Sequence, residues 1–225
     1  MKKLILAAFA LTTAASVFAQ GTIAFNNRIT GTIVTHVYQP MATALTLSQI
    51  GNGATADTPN GSTVWTGWSL VGSVGLVGPY GAQSTFAQLL GVAGSGAAES
   101  SLLPQTPTTT FRTGAVAGFI AAVTTTVNGV PGDTAPGTFE MVAWDNATGL
   151  YPTWTQAFPA WTRGLIAAGE GGKWSLATIG GSGTPPNIAG QSFNLYFIPI
   201  PEPSTFALAG LGLAALVAFR RRNSK

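Results

Sequence analysis

The chain has 225 residues, with 8% charged, 46% hydrophobic, 29 glycines, 14 prolines and no cysteine. Soluble domains ordinarily carry about 25% charged residues, so an acid- or base-rich solvated surface is excluded, and the missing cysteines exclude a disulfide framework and thiolate chemistry. The formal charge of +3 belongs to the chain ends: between residues 20 and 199 four basic residues (Arg28, Arg112, Arg163, Lys173) face six acids (Asp57, Glu99, Asp133, Glu140, Asp145, Glu170), so the footprint of a nucleic-acid binder is missing and no nucleic-acid partner is expected.

Met1-Lys2-Lys3 opens the chain, ahead of an apolar run at 4–11 and small residues ending in Val17-Phe18-Ala19. A positive start, a short hydrophobic stretch and a small-residue cleavage site make a secretory signal peptide. It occupies residues 1–19, and signal peptidase is expected to cut between Ala19 and Gln20.

Residues 22–25 and 32–38 are the first two predicted strands. A stretch rich in Val, Trp, Ser and Gly follows at 63–77, then an apolar one at 84–92. Phe111-Arg112-Thr113 opens a region running to residue 130, where Asn128-Gly129 signals a hairpin turn that Pro131 widens. The clearest strand is 138–145: Phe139, Met141 and Ala143 alternate with Glu140, Val142 and Trp144. The charge of Glu140 directs its face to solvent, and so Phe139 and Met141 to the core. Residues 173–179 and 191–198 close the domain. Loops are predicted at 52–62, 94–109 and 180–186, and no sustained amphipathic helix is expected beyond one turn at 151–158. Short strands separated by turn signals predict an all-β domain over 20–199, an antiparallel β-sandwich or jelly-roll-like fold.

The last segment, 200–225, has three parts in order: Ile200-Pro201-Glu202-Pro203-Ser204, an uncharged run at 205–219, and Arg220-Arg221-Arg222. As a helix, residues 204–219 would measure about 24 Å, slightly short for a bilayer core unless the arginines snorkel. The run has no polar face, so a single C-terminal transmembrane helix is predicted. Basic residues flank the outer ends of both apolar segments, which places both ends in the cytoplasm and the domain on the periplasmic side of the inner membrane.

Pro201-Glu202-Pro203, standing directly before an apolar helix and an arginine cluster, resembles the PEP-CTERM sorting signal of Gram-negative bacteria. The resemblance implies that a membrane-embedded exosortase recognises the motif and removes the tail. The precursor would be held transiently in the inner membrane by that tail, and the product would reach the cell surface or the medium, often in bacteria that make exopolysaccharide. The two prolines keep the chain extended and out of the helix, a form a protease can grip. Less specifically, Phe25-Asn26-Asn27-Arg28, Tyr80-Gly81-Ala82-Gln83, Phe111-Arg112-Thr113-Gly114 and Ala143-Trp144-Asp145-Asn146 resemble a domain common on PEP-CTERM proteins, which implies the same β architecture and no particular chemistry.

The central domain offers little for catalysis. His36 is the single histidine and falls inside a Thr/Val strand; a zinc site needs more His or Cys. There is no Gly-x-Ser-x-Gly elbow and no phosphate-cradling Gly-x-x-x-x-Gly-Lys loop. Glu140 and Asp145 are five residues apart, on opposite faces of a regular strand, and no other acids are close in sequence, so a glycosidase pair is not expected. Calcium could use Asp57, Asp133 or Asp145 on loops, without the dense acid-and-Gly signature of a dedicated site. No catalytic residue, cofactor or metal is therefore expected. Of six tryptophans most should fill the core, while Trp154 and Trp161, in the Pro-punctuated stretch 151–163, are the ones expected to face solvent and stack on sugar rings. The sequence thus describes an exported, non-enzymatic surface or matrix protein. A polysaccharide-binding module is the first alternative, and a hydrolase the second.

Overall fold

The computed structural model describes residues 20–133, 135–200 and Leu211. Residues 1–19, and the tail with Pro201, Glu202, Pro203 and most of the expected transmembrane helix, lie outside the described residues. No helix among the described residues is long and apolar enough to cross a membrane.

The strands in chain order are β1 (Gln20–Phe25), β2 (Arg28–Ile29), β3 (Ile33–Val34), β4 (Val37–Tyr38), β5 (Thr85–Ala93), β6 (Leu103–Pro104), β7 (Thr109–Thr110), β8 (Val123–Pro131), β9 (Gly137–Asp145), β10 (Ala168–Leu176) and β11 (Phe193–Asn194); one helix, α1 (Trp154–Thr162), stands between β9 and β10. The domain is all-β as expected, and its pairs are antiparallel except β11 with β4.

The principal sheet runs β10-β9-β5-β6, with β7 also paired to β5. Strand β9 lies at its centre, where both faces must be covered. Its odd-numbered side chains Phe139, Met141 and Ala143 join Ala87 and Leu89 of β5 in the larger core, with Ile23 and Phe25 of β1 and Val127 and Val130 of β8. The even-numbered Val142 and Trp144 join Leu90, Trp154, Ala157, Ala160, Trp161 and Ala168 in a second core. The β1–β8 pair covers one face of the sheet and α1 the other. Phe139 and Met141 point inward as expected, at 0% and 3% exposure, but Glu140 does not reach solvent: it is 2% exposed. Its face of β9 is roofed by α1 and by the turn after β5, so parity with a charged residue did not identify a wet side.

Two glycines make room for Phe139. A Cβ on Gly91 would stand 2.7 Å from Phe139 Cδ1, and one on Gly137 would stand 2.4 Å from Cζ; only hydrogen lets the ring lie flat against both backbones.

Several other expectations change. Residues 32–38 form two short strands interrupted at Thr35-His36, and 63–77 forms turns and isolated bridges. Asn128-Gly129 is no hairpin: Gln20 pairs with Pro131 and Gly21 with Val127, so residues 128–130 form a bulge inside β8, with Gly129 at φ +75°. In place of the one helical turn expected over 151–158, a nine-residue helix, α1, runs from Trp154 to Thr162. There Trp154, Ala157, Ala160 and Trp161 recur at helical spacing and are buried together, and the Trp154 amide at the helix start is accepted by Gln88 Oε1 at 2.9 Å.

Candidate functional site

Three places gather polar or aromatic groups. The first is built around His36. Its Nδ1 lies 2.6 Å from Asp57 Oδ1, while Ser192 Oγ donates to Asp57 Oδ2 at 2.9 Å and accepts from the His36 backbone N–H at 2.7 Å. Ser, His and Asp are all present, but in the wrong order for nucleophilic catalysis. A triad needs histidine between the hydroxyl and the acid, so that its ring takes the hydroxyl proton. Here Asp57 stands in the middle and the serine gives its hydrogen bond to the acid. Burial alone would raise the Asp57 carboxyl, but hydrogen bonds from His36, the Gly53 amide and Ser192 outweigh it and hold it below the usual carboxylate range. Such an acid is a poor proton acceptor and a good structural anchor.

What that anchor holds is the loop 53–57, one wall of an open groove of about 440 Å³ lined by Tyr38, Gly53, Ala54, Thr55, Ala56, Thr63, Val64, Trp65 and Thr66. Trp65 is half-buried. Its ring stacks on Tyr38 with centroids 4.1 Å apart at 7° and its Nε1 donates to Gly51 O at 3.0 Å. Trp68, also half-buried, meets it edge-on at 5.4 Å. Burial, and next the Asp57 charge, push the Tyr38 hydroxyl well above its ordinary range.

Trp154 and Trp161, expected at the surface, are instead 6% and 3% exposed. They pack on one another at 5.7 Å, and Trp161 Nε1 donates to Tyr196 O at 2.9 Å. Neither ring offers a face to a sugar. Of the nearby prolines, Pro152 precedes the buried helix and Pro159 lies inside it, so the stretch is not a loop. The tryptophan that lines the open groove is Trp65, with Trp68 packed against it, and the glycines at 61, 67 and 72 around them are the signal in the sequence that this stretch is not core.

The third place is acidic. Glu140 of β9, Glu170 of β10 and Glu99, in the 3-10 turn Glu99–Ser101, each bring a carboxylate oxygen within 4.8 Å of the others. Glu140 and Glu170 share a sheet face, because Glu140 pairs with Lys173 and Val142 with Glu170. Glu99 is brought over that face by the loop after β5. Thr138 Oγ1 accepts from Ala97 N at 3.0 Å and donates to Gly94 O at 2.6 Å, Ser175 Oγ accepts from Gly96 N at 3.1 Å, and Lys173 Nζ donates to Ala97 O at 3.0 Å. Burial foremost, then the charges of Glu170 and Glu99, push the Glu140 carboxyl up to about 8, against the opposing pull of Lys173 and a hydrogen bond from the Gly172 amide. Burial, then Glu99, push Glu170 up to about 7. Glu140 Oε2 is buried without a hydrogen-bond partner among the described residues.

Sequence separation hides this cluster: the only two acids close in sequence, Glu140 and Asp145, are expected on opposite strand faces, and the partners of Glu140 lie 41 residues before it and 30 after it. A glycosidase pair must straddle a sugar; Glu140, at 2% exposure, cannot reach one. The three aspartates weighed for calcium are committed elsewhere: Asp57 as above, Asp133 to Gly181 N, Ser182 N and Ser182 Oγ, and Asp145, which ends strand β9 and is not on a loop, to Ala147 N.

The C-terminal segment decides the remaining question, since residues 199–222 match the model of the PEP-CTERM protein-sorting motif. The chain carries a PEP-CTERM sorting signal. The match spans the Pro201-Glu202-Pro203 triplet, the apolar run and the arginine cluster in the expected order. The PEP-CTERM motif supports export through a membrane-anchored precursor and processing by an exosortase. No curated protein and no solved structure matches the chain.

Proposed function

We propose that this is a non-enzymatic protein of the cell surface or extracellular matrix. Signal peptidase frees it at Gln20, an exosortase then cuts it at Pro201-Glu202-Pro203, and a small lopsided β-sandwich is left outside the inner membrane. The observation that carries this reading is the PEP-CTERM match at 199–222. It is supported by a domain whose Ser-His-Asp grouping is wired to hold a loop. Replacing Pro201, Glu202 and Pro203 with alanine should trap the chain in the inner membrane with Arg220, Arg221 and Arg222 still attached. Normal surface yield of a tail-free Ala variant would overturn the assignment.

One observation favours a second reading, extracellular polysaccharide binding. The open groove is lined by Trp65 together with the hydroxyl-bearing residues Thr55, Thr63 and Thr66. Carbohydrate rings are held by that combination, an apolar platform for C–H faces with hydroxyl partners around it.

A further inference from the structure

The acidic cluster has no role in sorting or in the Trp65 groove. Glu140 Oε2 is buried with no partner among the described residues, a state that costs free energy unless something supplies a positive charge or a proton. The carboxyl oxygens of Glu99, Glu140 and Glu170 converge within 4.8 Å, the separation available to oxygens on a single calcium ion at about 2.3–2.6 Å from each. The donors are all hard oxygens, with neither His nor Cys among them, which disfavours zinc and other soft-ligand metals. Lys173, on the same sheet face, spends its ammonium on Ala97 O; with the three carboxylates ionised, the group keeps a net charge of −2, matched by one divalent cation. Exposed Glu99 leaves an entry path and room for water ligands, which an ion of six to eight oxygens requires.

We infer that Glu99, Glu140 and Glu170 form a binding site for one calcium ion, which fastens the turn at Glu99–Ser101 to strands β9 and β10. The ion takes the place of the missing partner at Glu140 Oε2 and joins three elements distant in sequence.

The test is thermal unfolding and isothermal titration of the full chain in detergent micelles, after chelation, with calcium chloride as the probe. At pH 8 and about 10 mM calcium, well above the range of extracellular calcium modules, the midpoint should rise by several degrees and titration should show one site per chain. Glu99→Gln, a change at an exposed residue, should weaken calcium binding at least tenfold and, by removing a charge that repels Glu140 and Glu170, raise the calcium-free midpoint at pH 8. Glu140→Gln should raise the calcium-free midpoint at pH 8, by removing a buried charge, and abolish the calcium response. The absence of a calcium-dependent shift in the wild type, or wild-type affinity in Glu99→Gln, would overturn the site. An equal response to magnesium chloride would overturn the choice of calcium.

Discussion

Removing the Phe139 ring opens a cavity between the principal sheet and the β1–β8 layer. The side chain is fully buried, its centroid lies 6.4 Å from that of Trp174, and it covers the bare backbone of Gly91, where a Cβ would stand 2.7 Å from Cδ1. Phe139→Ala should cost about 3–5 kcal/mol, the transfer free energy of the ring plus that of the void, a large share of the roughly 5–15 kcal/mol that stabilises a domain. Gly91→Ala supplies an internal control. Gly91 is not among the positive-φ glycines, so an added methyl meets no backbone strain, only the ring. Alone it should cost about 1–3 kcal/mol through overpacking. In the Phe139→Ala background the clash disappears and the added methyl should be close to neutral, leaving a coupling of similar size. Equilibrium chemical denaturation of the four chains measures the cycle. A Phe139→Ala loss below about 1 kcal/mol, or two costs that simply add, would refute the packing of β9 against β5.

In a chelating buffer the domain should lose stability as pH rises. Glu140 and Glu170 are raised from an ordinary 4.5 to about 8 and about 7, so between those values the folded chain holds protons that the unfolded chain has released, and their contribution, complete below pH 4.5, disappears by about pH 8. For Glu140, which is almost wholly buried, the loss is on the order of 4 kcal/mol. Denaturation midpoints that stay flat from pH 5 to 8 in chelator would contradict it. If the groove holds polysaccharide, Trp65→Ala should weaken retention on exopolysaccharide by about tenfold or more, the cost of a lost aromatic platform, whereas Trp154→Phe, in the second core, should leave it unchanged; equal retention in both variants would remove the Trp65 groove from consideration.

Periodicity served the fold best where one physical force acts alone. The alternation of Phe139, Met141 and Ala143 identified the core side of β9 because apolar burial needs no information about distant segments. It failed for Glu140, whose environment depends on a turn forty residues upstream and a strand thirty residues downstream. Trp154 and Trp161 were misplaced for a related reason. Pro152 and Pro159 read as loop signals, yet Pro152 precedes the helix, and the apolar spacing of Trp154, Ala157, Ala160 and Trp161 outweighs the interior Pro159 once the sheet offers a surface to cover. The His36–Asp57–Ser192 network was invisible because Ser192 comes from the far end of the chain. The sorting signal, by contrast, is contiguous, and its order of triplet, apolar run and arginines is legible in the sequence alone.

The most direct measurement is mass spectrometry of the mature protein recovered from the cell surface and from the medium. A chain that begins at Gln20 and ends within or beside Pro201-Glu202-Pro203, with any attached group at that new terminus, is the predicted result. A surface protein that still carries Arg220, Arg221 and Arg222 would contradict the account.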